Sequence, residues 1–154
     1  MSQIEIVAEA SSRAAPGDVF RLLRDGSTWP AWSLFDRFEL EREGVPDRLG
    51  VGAIRVFMTR VSRAREEVVE VIPDRRLSYI LLSGLPFEDY RADVDLAPAP
   101  EGGTTIRWRS RFRPKQPAFG WFWRSLMTRT LRDVGRQLAK AAEDPAIVAK
   151  ADSR

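Results

Sequence analysis

The sequence predicts an α+β fold: a curved antiparallel sheet of about seven strands around one long C-terminal helix, with two short helices after the first strand. Three observations predict it. Apolar residues alternate with a period of two in short segments spread over residues 3–113, and Pro- and Gly-rich turns separate those segments at regular intervals. A helix start, Pro16-Gly17-Asp18, interrupts the pattern once, early. From residue 117 to about 143 the period changes to that of a single long helix.

The first strand covers residues 3–11, where Ile4, Ile6, Ala8 and Ala10 alternate with Gln3, Glu5 and Glu9. Pro16 suits the first helical position and Asp18 the first turn, Val19, Leu22 and Leu23 form the apolar stripe, and Gly26 suits the stop. Trp29-Pro30-Ala31-Trp32 then opens a second short helix or turn. Strands follow at Phe35–Glu41, Ala53–Thr59, Arg63–Ile72, Leu77–Leu82, Glu88–Leu96 and Thr104–Arg113, closed by turns such as Pro73-Asp74-Arg75 and Gly84-Leu85-Pro86. In the last helix Phe119, Phe122, Trp123, Leu126, Met127, Leu131, Val134 and Leu138 keep helical spacing, and Arg124, Arg132, Arg136 and Lys140 lie on the other face. One domain over residues 1–145 is expected, with 146–154 a frayed tail.

The chain has no cysteine and no histidine. The first absence excludes disulfides, iron–sulfur clusters and thiolate zinc sites. The second excludes Ser-His-Asp and Cys-His triads and a histidine general base. No spaced Asp cluster suggests an oxygen-ligated cation, so neither metal nor cofactor is expected. The net charge of +3 comes almost wholly from arginine and does not imply nucleic acid. The first residues do not read as a signal peptide, and no stretch reaches the roughly 18 apolar residues of a membrane span. A cytoplasmic protein without stable membrane insertion is the expectation.

One helix cannot cover the whole concave face of so wide a sheet, so the remainder is either packed by large side chains or left as a pocket. Alternation turns Ile106, Trp108, Ser110 and Phe112 inward on the last strand, and Tyr90, Ala92, Val94 and Leu96 on the strand before it. The candidate ligand-binding residues are Trp32, Phe38, Phe57, Tyr90, Trp108, Phe112, Phe122 and Met127.

Polar chemistry has few candidates, namely Arg55, Glu67 and Tyr90, and the two tyrosines, Tyr79 and Tyr90, can each donate a hydrogen bond to a ligand oxygen or pack near the cavity rim. If Arg55 shares a face with Ala53 and Phe57, and Glu67 with Val69 and Val71, an arginine and a carboxylate meet inside, where they can orient a carbonyl or phenol. In the other register Arg55 and the Glu66/Glu67 pair form an ordinary outward ion pair. Trp29 and Trp32 are placed to cap one end of the interior, one indole inward and one at the rim. Trp121 and Trp123 open the long helix, as core packing or as a partner- or membrane-touching patch. Arg107, Arg109, Arg111 and Arg113 line one outer strand face, either as a contact for an anionic surface such as nucleic acid or membrane or, favoured here, as cross-strand partners of Asp89, Asp93 and Asp95.

Several segments together resemble one family. They are Ala15-Pro16 through Val19-Phe20, Trp29-Pro30-Ala31-Trp32, Gly50-Val51-Gly52-Ala53-Ile54-Arg55, Arg65-Glu66-Glu67-Val68, Arg76-Leu77-Ser78-Tyr79, Gly84-Leu85-Pro86 through Tyr90-Arg91, Gly103-Thr104-Thr105 and Trp108-Arg109-Ser110-Arg111-Phe112-Arg113-Pro114. In order and spacing they resemble the SRPBCC or START-like superfamily, in its bacterial polyketide cyclase/dehydrase and lipid-transport branch, from about residue 4 to 143. The resemblance implies the helix-grip fold, a hydrophobic cavity and a hydrophobic small-molecule ligand, but no single activity. Three functions follow as expectations: binding or transport of a lipid or polyketide-like molecule, an aromatase/cyclase-type enzyme, and an interaction or regulatory module.

Overall fold

The computed structural model describes residues 3–151. Seven strands, β1 (Ile4–Ser12), β2 (Arg37–Arg42), β3 (Ile54–Met58), β4 (Arg63–Ile72), β5 (Arg76–Ser83), β6 (Phe87–Pro98) and β7 (Thr104–Pro114), form one antiparallel sheet in the order β1-β7-β6-β5-β4-β3-β2. Between β1 and β2 lie α1 (Pro16–Arg24) and a 3-10 turn over Gly26–Ala31. After β7 a short 3-10 turn at Pro117–Phe119 leads into the 22-residue helix α2 (Gly120–Ala141), and α3 (Pro145–Val148) follows. Sheet and long helix stand where the periodicities put them, in the expected helix-grip arrangement.

The helices divide the concave face of the sheet. α2 packs on β1 and β7 through Met127, Leu131, Val134 and Leu138, and Ser12 Oγ donates to the Ala139 carbonyl at 2.7 Å. α1 reaches β6, and the 3-10 turn covers β2. Most of the buried apolar side chains of these layers form one cluster.

The chain end departs from the frayed tail expected. Asp144 caps α3 by accepting the Ala146 N–H at 2.9 Å, with Pro145 at the first helical position. Val148 and Ala151 are buried in the core cluster, and α3 touches α1. Residues 152–154 of that tail lie outside the described residues.

Candidate functional site

The interior between the sheet and the first helices is built of aromatic rings around one buried ion pair. β3 and β4 set Arg55 directly opposite Glu66. Arg55 is fully buried, and its Nη2 donates to Glu66 Oε1 at 3.2 Å. Its Nη1 donates to the Leu23 carbonyl at 2.8 Å, which ties the last turn of α1 to the sheet. The guanidinium carbon lies 5.4 Å, 5.0 Å and 5.6 Å from the ring centres of Trp29, Phe57 and Tyr79, within cation–π range. Nε has no hydrogen-bond partner among the described residues.

The rings around the pair touch one another. Trp29 lies 4.4 Å from Phe57, 4.9 Å from Trp32 and 6.0 Å from Trp108. Trp108 Nε1 donates to Tyr79 Oη at 3.2 Å, and Tyr90 Oη shares a 2.9 Å hydrogen bond with Ser110 Oγ. Tyr79 and Tyr90 stack with centres 6.3 Å apart, and Phe112 lies 5.7 Å from Tyr90. Large side chains therefore occupy the space that the sequence left open between packing and pocket. Surface depressions lie elsewhere. One of about 760 Å³ runs between Arg13–Arg21 and Ala142–Ala149, and one of about 430 Å³ lies between α1 and the Pro73-Asp74 turn.

Burial governs the ionisation of this cluster. Desolvation pushes the Glu66 carboxyl up to about 7 and outweighs the opposing pull of Arg55. Desolvation likewise raises Tyr90 to about 12 and Tyr79 well above the ordinary phenol value, and the charge of Glu66 adds to both shifts. Near neutral pH the interior holds, beside the Arg55 guanidinium, a carboxyl poised between its two states and two protonated phenols.

The structure redistributes the residues singled out from the sequence. Trp32, Phe57, Tyr90, Trp108, Phe112 and Met127 are all buried in the core cluster. Trp29 and Trp32 are both inside, 2% and 9% exposed, instead of one at the rim. Phe38 is half-buried, with its ring 5.3 Å from Phe57 and against Gly26, where any side chain would collide with it.

Two candidates are displaced. Glu67 does not face the interior: it pairs with Arg42 on the outer face at 3.4 Å, and Glu66 takes the inward position. The cause is an irregularity in the β4–β5 pairing between Val68 and Glu70. It breaks the alternation, so the inward set is Ala64, Glu66, Val68 and then Val71, and parity counted back from Val69 and Val71 gives the wrong glutamate. Phe122 is 43% exposed, because α2 turns Trp123, Met127, Leu131, Val134 and Leu138 toward the sheet; Trp123 packs edge-on against Phe87 at 5.0 Å. Tyr79 and Glu66 complete the polar cluster. The alternation Leu77, Tyr79, Leu81 was the signal for Tyr79, whereas nothing in the alternation of β4 distinguishes Glu66 from Glu67.

The outer arginine row is largely paired. Arg111 reaches Asp93 at 3.7 Å, Arg113 pairs with Asp89, and Arg109 meets Glu5 of β1 at 3.7 Å. Asp95 is held instead by Arg76 at 2.7 Å.

Comparisons with known proteins agree with this architecture. A START superfamily protein from Mycobacterium smegmatis superimposes with a TM-score of 0.78 at 13% identity, covering 90% of this chain and 97% of that one. The protein XoxI from Bacillus cereus gives 0.69 at 18% identity, covering 94% and 97%. A protein from Thermus thermophilus gives 0.68 at 22% identity, covering 96% and 98%. At such identities the likeness establishes the fold. A search of curated proteins finds no match. No helix among the described residues is long and apolar enough to cross a membrane. A family model described as polyketide cyclase / dehydrase and lipid transport matches residues 3–143, nearly the whole chain, and supports a role with hydrophobic ligands. The chain belongs to the polyketide cyclase/dehydrase and lipid transport family.

Proposed function

We propose that the chain binds and carries a hydrophobic small molecule, lipid-like or polyketide-like, whose carbonyl or hydroxyl oxygen is seated on Arg55 among the interior rings. The observation that carries this reading is the fully buried Arg55, whose Nε lacks a hydrogen-bond partner among the described residues inside an aromatic shell. Burying a guanidinium is costly, and a purely structural core of this volume is generally at least as stable with apolar residues in its place. An unfilled donor there is the group a ligand oxygen would satisfy. Trp29, Trp32, Phe57, Tyr90, Trp108, Phe112 and Met127 supply apolar walls, and a ligand enters by displacing or stacking on these rings. Native mass spectrometry of purified protein mixed with a lipophilic ketone or phenol tests the reading. A one-to-one adduct that weakens in Arg55→Met supports it; no adduct with any such probe contradicts it.

A second reading rests on Glu66. A carboxyl held at about 7 beside two phenols and an arginine suits proton transfer to and from an enolising carbonyl, the chemistry of aldol closure and dehydration. Glu66→Gln separates the two readings: a carrier keeps its binding, whereas a cyclase keeps binding and loses turnover of a poly-β-ketone.

A further inference from the structure

We propose that the start of α2 is a docking surface for an anionic lipid bilayer. Four large apolar side chains stand exposed there within eight residues: Phe119 at 50%, Trp121 at 72%, Phe122 at 43% and Leu126 at 40%. Scattered exposed apolar residues are ordinary, but four gathered at one helix end form a patch. The patch is not a frayed end. Phe122 lies 5.2 Å from Trp123, which is wedged edge-on against buried Phe87, so the exposed rings sit on a fixed base.

The charge around the patch selects the occupant. From Gly102 to Arg132 the chain contains no acidic residue, and Lys115, Arg124, Arg129 and Arg132 border the apolar tip or follow it along α2. None of these four has an ion-pair partner among the described residues; Arg124 only touches the Glu5 carbonyl at 3.4 Å. Asp89 of the nearby hairpin is taken by Arg113. The N-terminal end of this 22-residue helix adds positive partial charge on the same side. Tryptophan and phenylalanine tips ringed by uncompensated cations match the interface of a bilayer with anionic headgroups. A second copy of the chain fits poorly, since a two-fold contact would press these cations against themselves. A depression of about 400 Å³ beside the tip, between Pro86, Lys115 and Phe122, offers room for one acyl segment. This docking does not depend on what the interior binds.

Flotation with phosphatidylcholine vesicles, with and without phosphatidylglycerol, tests the proposal. The full chain is expected to float with the anionic vesicles, to stay behind with phosphatidylcholine alone, and to be released at raised salt. Trp121→Ala and the double variant Lys115→Glu/Arg129→Glu are each expected to weaken binding about tenfold or more, with unchanged thermal melting. The charge pair keeps the test informative should Trp121→Ala misfold. Three results overturn the proposal: no flotation of the wild type, flotation indifferent to the variants, or a Trp121-dependent complex with a protein or a second copy while vesicles are ignored.

Discussion

Arg55 and Glu66 face each other across β3 and β4 and both turn into the aromatic interior, with Nη2 and Oε1 3.2 Å apart. The pair fixes the polar centre of the site, and Arg55 also anchors α1 through the Leu23 carbonyl. Removing one partner strands the other charge, whereas removing both restores an apolar layer. Arg55→Met alone is expected to destabilise the fold by about 3 kcal/mol or more, and Arg55→Met/Glu66→Leu by clearly less than the sum of the single changes. Urea denaturation of the four proteins measures this. Strict additivity would contradict the coupling.

Stability is expected to fall as pH rises from about 4.5 toward 7. The folded chain holds a proton on Glu66 up to about pH 7, while the unfolded chain releases it near the ordinary value of 4.5. The contribution is therefore complete below the unfolded value and lost as pH rises through the folded one, with a slope of at most ~1.4 kcal/mol per pH unit. No histidine titrates in this window. Asp93, Glu41 and Glu143 have lowered values, so their contribution has the opposite sign and is lost only at more acid pH. Denaturant midpoints between pH 5 and 8 should slope downward in the wild type and flatten in Glu66→Gln; parallel slopes in the two would refute the assignment.

The hydroxyl of Tyr79 accepts the only hydrogen bond found for the Trp108 indole among the described residues. Tyr79→Phe leaves that N–H buried without a partner and is expected to cost about 1–3 kcal/mol. Thermal denaturation checks the cost. A neutral substitution would mean that the bond carries no weight.

Truncation after Glu143 removes the buried Val148 and Ala151 from the core cluster. The loss is expected to be about 2–3 kcal/mol, measurable as a lower urea midpoint. An unchanged midpoint would restore the picture of a tail without a structural role.

The fold was legible because its signals are redundant. Trp108, Ser110 and Phe112 alternate on β7 as Ala92, Val94 and Leu96 do on β6, and each strand confirms the other's register. The site was less legible because it depends on single positions. One irregularity at Val69 exchanges Glu67 for Glu66, and a run of alternating residues carries no mark of where its parity breaks. Phe122 failed for a different reason. It and Leu126 share a stripe as apolar as that of Trp123 and Met127, and only the docking of α2 on β1 and β7 decides which stripe is buried. Whether the interior would be filled or open was undecidable from composition, since the same aromatics build either arrangement.

The central claim is that a hydrophobic molecule with a polar oxygen occupies the interior at Arg55. The most direct measurement is a titration of the protein with 1-naphthol, followed through the five tryptophan indole N–H signals in proton–nitrogen NMR. The account predicts saturable shifts of Trp29 and Trp108, which flank Arg55 and Tyr79, and their loss in Arg55→Met. Shifts confined to surface Trp121, or interior shifts indifferent to Arg55→Met, would contradict it.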